Sequence, residues 1–222
     1  GSGITVNSTN DTLQLTGLTA GTTYEYYVRD SCGAGDVSTW EGPVTFNTAY
    51  RTNFLETFDN SAYSSPGWVE ADGRLTSNTT FTSVFSSWGF DDFGNDPANS
   101  TAARANIWLG NQYEWLISPS IYLDPALTNL QVEFDAAITA FASTNQGYFG
   151  SDDSLVIVIS TDNGATWSDA NILWSKTNGD TIDAAGEHYI IPLSGYSGYV
   201  RFGIYAGSTI NDPEDNDWYV DN

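Results

Sequence analysis

Short apolar runs recur along the chain between clusters of Gly, Asn, Asp, Ser and Thr, and no stretch keeps the three-to-four-residue apolar spacing of an amphipathic helix. The runs predict strands at residues 12–18, 23–30, 44–48, 117–123, 130–137, 154–160, 188–193 and 199–205. Regular short strands with turn signals between them read as an all-β sandwich. In residues 154–160, Leu155, Ile157 and Ile159 fall on one face and Val156 and Val158 on the other, which predicts a strand covered on both sides. Residues 113–123, YEWLISPSIYL, predict a strand whose entrance is marked by Pro119, because proline has no N–H to give to a central ladder. Asp162, Asn163 and Gly164 suit a hairpin turn that needs positive φ, and Trp167 is placed to fold back over it.

Composition narrows the partners. Asp and Glu number 28 against six Lys and Arg, a formal charge of −22, and no basic cluster exists to displace counterions from phosphates. Nucleic acid and anionic membrane surfaces are therefore excluded. No 18-residue apolar run is present, so membrane insertion is not expected. Eight Trp and thirteen Tyr set the chain apart from a disordered acidic tail. Cys32 is the single cysteine, which removes any internal disulfide.

Two resemblances follow from ordered motifs. TLQLTGLTAGTTYEYYVRDSC with STWEGPVTFNTA resembles the C-terminal half of a fibronectin type III module over residues 1–49. There Leu15 and Leu18 flank a tight turn and Tyr24 plugs the core. Half a sandwich cannot bury its own core, so an upstream segment or a neighbour is expected to cover it. Residues 50–222 resemble the MAM-like, cleaved-adhesin-type jelly rolls of Bacteroidetes surface proteins, carried by FLETFDN, PGW, WLISPSIYL, VEFDAA, SLVIVISTDNGATW, IPLSGYSGYVRFGIY and NDWYVDN in that order. The resemblance implies a further stretch of strand after WYVDN. It also implies a secreted or cell-surface location, adjacent domains in the same parent chain, and no catalytic residues. Residues 160–167 fit a single Asp-box, which without propeller periodicity reads as a structural hairpin.

The resemblance further implies a structural Ca2+ where the first strand meets the last, which nominates Glu56 and Asp59 with Asp217 and Asp221. The second choice is Asp91, Asp92, Asp152 and Asp153, and solvated acidic loops are the alternative. NDPEDNDW departs from an EF-hand, because Asp217 replaces the required glycine.

A sugar site would stack exposed rings on pyranose faces. Trp40, Trp68, Trp115, Trp167 and Trp218 sit in motif positions and are assigned to the core. Trp88, Trp108, Tyr148, Phe149 and Trp174 remain as candidates, in the long segments 86–111 and 140–153 or in other loop-like surroundings. His188 is the sole histidine and no nucleophile-elbow motif accompanies it, so the chain is read as non-enzymatic. Asp-Ser/Thr-apolar triplets at 11–13, 153–155 and 180–182 fit, by resemblance, an O-glycosylation pattern. The function expected is adhesion or matrix contact with structural calcium. The alternatives are a carbohydrate-binding accessory module of a secreted hydrolase and a ligand-free structural spacer.

Overall fold

The computed structural model describes residues 3–33, 35–108, 110–210 and 214–222. It divides into two compact units, one ending at Thr48 and the other spanning Ala49–Asn222.

The first unit holds β1 (Thr23–Val28), β2 (Ser31–Gly33), β3 (Asp36–Val37) and β4 (Glu41–Asn47). β1 and β4 pair antiparallel from Thr23–Asn47 to Val28–Glu41, with Tyr24 stacked on Phe46 at 5.8 Å. Residues 12–18, predicted as a strand, form none. No described residue of this unit is buried, and Leu13, Leu15, Tyr27 and Val44 stay open to solvent. Trp40, assigned to the core by its motif, is half exposed and carries the Arg29 guanidinium over its ring at 4.5 Å.

The second unit is a two-sheet β-sandwich without α-helix among the described residues. Its strands are β5 (Tyr50–Arg51), β6 (Val69–Asp72), β7 (Trp88–Asp92), β8 (Thr101–Ile107), β9 (Gln112–Ile117), β10 (Ile121–Leu123), β11 (Gln131–Ala140), β12 (Ser154–Ser160), β13 (Ile172–Thr177), β14 (Glu187–Pro192), β15 (Gly198–Ser208) and β16 (Asn216–Asp221). One sheet runs β14-β11-β16-β8-β7. The other runs β13-β12-β15, and the long β15 then pairs β10 with its first half and β9 with its second. Pro119 explains that division. It interrupts the predicted 117–123 strand, and Ser118 fills the gap by accepting from Phe202 N at 2.9 Å.

Between the sheets lie Leu116, Phe134, Ile138, Leu155, Ile157, Trp218 and Val220. The outer face of the seven-stranded sheet is covered as well: Val156 and Val158 pack with Trp115, Trp167 and Tyr205. Trp115 is fully buried and donates its indole N–H to Gly73 O. Gly203 makes room for it, since a Cβ there would sit 2.7 Å from Cζ3 of Trp115. The 160–167 turn is closed by Asp162, which accepts from Ser160 Oγ, Thr166 N and Thr166 Oγ1. Those bonds hold its carboxyl down at about 2.

Candidate functional site

The register places Ile107, Asn216 and Ala140 side by side, and sets Gln112 against Ser208 and Gly207 against Ser154. Trp108, residues 110–111, the 141–153 loop and residues 209–210 and 214–215 therefore gather at one end of the sandwich. The 141–153 loop is held along its length. Phe141 N donates to Asp215 O, Ala142 N to Asp217 Oδ2 and Gly147 N to Ile138 O. Gly147 permits a close crossing, because a Cβ would lie 2.6 Å from Asn216 Oδ1 and from the Thr139 backbone.

Three rings stand out from this end: Trp108 at 50%, Phe141 at 51% and Tyr148 at 62% exposure. Each has an anchored backbone. Trp108 N donates to Gln112 Oε1 at 2.8 Å, and Asn216 both accepts from Tyr148 N and donates to Tyr148 O. The Arg104 guanidinium lies 5.8 Å from the Phe141 ring centroid. The other three candidate rings are not presented this way. Trp88 and Phe149 are buried, because β7 pairing sets Trp88 opposite Ala105 in the inter-sheet core and Phe149 packs on Trp218. Trp174 is partly buried against Phe134 and Tyr189. Segment 86–111, read as a long loop, contains β7 and all of β8, whose alanines hide its strand character.

The nominated carboxylates part into two kinds. Glu56 is buried and already saturated: Ser64 N, Ser64 Oγ, Ser65 N and Trp68 Nε1 donate to it at 2.7–3.1 Å, and Phe58 N at 3.3 Å. Asp217, fully buried, pairs with Arg104 and accepts from Asn95, Asn106 and Ala142 N. Neither has lone pairs to spare for a metal. Asp152 accepts from Thr209 and Ile210, and these bonds outweigh burial to leave its carboxyl below the usual range. Asp153 caps Gly150 N. Asp91 accepts from Asp92 N on β7, the edge strand of its sheet. Asp212 lies outside the described residues.

Asp221 differs. Burial, with the nearby Asp59 and Asp135 carboxylates, pushes it up to about 6 against the bonds from Asn222 N and Ser100. Asp135 itself accepts from Asn222 Nδ2 and faces His188 Nδ1 at 2.8 Å. His188 Nε2 faces Glu133 at 3.6 Å, so both ring nitrogens look at carboxylates. Asp59 and Asp221 thus fit a cation in charge. Among the described residues no three His, Cys, Asp or Glu side chains converge closely enough to enclose one. Glu114, which the sequence did not single out, is buried beside Asp72, raised by burial, and ties down Ser87 N.

No family model matches the chain. It is 27% identical over 247 aligned residues to endoglucanase B of Cellulomonas fimi, an alignment covering 94% of this chain and 23% of that enzyme. Among solved structures it is similar to the K3 cleaved adhesin domain of Lys-gingipain from Porphyromonas gingivalis w83, with a TM-score of 0.40 and 14% identity over 76% of this chain and 98% of that one.

Proposed function

We propose that this chain is a non-catalytic contact module of a larger extracellular protein, working through the loop end that carries Trp108, Phe141 and Tyr148. The observation that carries the reading is the display of three half-exposed rings on anchored backbone. Solvent-facing aromatics on a rigid scaffold are the currency of recognition surfaces. The conspicuous carboxylates are instead consumed inside the scaffold, as Glu56 and Asp217 illustrate. The similarity to endoglucanase B spans under a quarter of that enzyme, which favours an accessory segment over the whole activity and brings glycans in as a ligand class beside matrix proteins. In the same reading, the unit ending at Thr48 is part of a fibronectin type III module, and its open apolar side chains meet an adjacent domain of the parent chain.

Calcium belongs to this proposal. Asp59 and Asp221 would hold it, and its charge would offset the burial and the neighbouring carboxylates that raise Asp221. Arrays of glycans and matrix proteins, probed with and without chelator, test the reading: binding on neither array under either condition refutes it. A reducing-end assay on soluble β-glucan addresses the enzymatic alternative. No release is expected, and release abolished by Glu114→Gln would make the chain a hydrolase.

A further inference from the structure

We propose that the loop end around Asn216 binds neutral hexopyranose glycans; this rests on the contact-module reading and names its ligand class. Trp108, Phe141 and Tyr148 are all fastened to one short stretch. Phe141 and Tyr148 bond directly to Asp215 and Asn216. Trp108 reaches the same stretch through Gln112, which donates to Asn106 O, and through Asn106 Nδ2, which donates to Asp215 Oδ1. The backbone that carries the rings is therefore held in place before any ligand arrives, which limits the ordering entropy that opposes binding.

Exposed Thr144, Asn145 and Asp215 lie on the same connections as the rings, supplying short polar groups for hydroxyls. Ring faces beside amide, hydroxyl and carboxylate groups match the alternation of C–H faces and equatorial hydroxyls on a pyranose. Charge selects within the glycans. The protein carries −22. Arg104, the cation beside the Phe141 ring, is paired with Asp217. Uronic-acid and sulfated chains are consequently repelled and neutral ones are not.

The experiment is affinity electrophoresis and calorimetry of the 222-residue chain on laminarin, xyloglucan and mannan, with polygalacturonate and a matrix-protein array alongside. Retention by at least one neutral glycan is expected. Trp108→Ala and Tyr148→Ala should each weaken it roughly tenfold or more with unchanged melting temperature. Tyr199→Ala, which removes an exposed ring at the opposite end of β15, should leave it as it was. The proposal is overturned if no neutral glycan is retained, if polygalacturonate binds better, or if both tip variants bind like the parent. Matrix-protein binding lost in the tip variants, without glycan binding, would refute the glycan and leave the contact-module reading standing. Failure on every arm would remove both.

Discussion

Replacing Asp221 with Asn isolates a carboxylate that the fold holds against its preference. Its folded pKa of about 6 lies above the ordinary 3.8, because β16 buries it opposite Asp135 with Asp59 nearby. The native state therefore holds that proton over a window in which the unfolded chain has released it. This group's contribution to stability is greatest below about pH 4, falls as pH rises through about 6, and is level above that. The shift corresponds to a cost of about 2–3 kcal/mol at neutral pH. Asn keeps the size and an oxygen to accept from Asn222 N, its NH2 can donate to the Ser100 hydroxyl in place of the bond accepted from it, and the charge is removed. Urea and thermal melts in EDTA should show Asp221→Asn more stable than the parent by about 2 kcal/mol at pH 8, a rise of about 4–8 °C for a unit of this size. The gain should shrink toward zero near pH 4. Millimolar calcium should stabilise the parent and leave the variant unmoved. A variant no more stable than the parent at pH 8 in EDTA would refute the account of Asp221.

Glu56→Gln should cost about 3 kcal/mol in urea melts, since whichever way the amide turns, its NH2 meets N–H or O–H donors that now serve the carboxylate. Gly203→Ala forces a Cβ to within 2.7 Å of Trp115 and 3.0 Å of Trp167. A loss of about 1–3 kcal/mol and a changed near-ultraviolet tryptophan signal are expected, and an unchanged melt would contradict that packing. Gly147→Ala should loosen the binding tip through its clash with Asn216, read as increased amide exchange at Tyr148.

The legible parts of the sequence were those whose pattern is local. β12 is apolar at every interior position, so it read as a strand covered on both faces and is one. The Asp162 turn was legible for the same reason, since its bonds run within residues 160–166. β8 was not: TAARANI lacks β-branched residues over most of its length, and its alanines are small because Trp88 and Tyr219 on neighbouring strands and Phe93 in the turn after β7 crowd them. Trp88 was misplaced with it. Phe141 was not singled out as a surface ring, although it lies in the 140–153 segment, because one aromatic beside Ala140 carries no local sign of burial or exposure. Its backbone is captured by Asp215, 74 positions on, and turned out.

Composition and period by themselves determined the all-β class, the acidic balance and the expectation that polyanionic partners are repelled, because each depends on totals or on neighbours within a few residues. The tertiary structure alone decided what each carboxylate does. Glu56, Asp217 and Asp221 look alike in sequence, yet donors arriving from Trp68, Arg104 and Asn95 saturate the first two, while Asp221 meets other acids. The same holds for the rings. Burial belongs to whatever the sheets bring opposite a side chain, and that partner can be as distant in sequence as Ala105 is from Trp218.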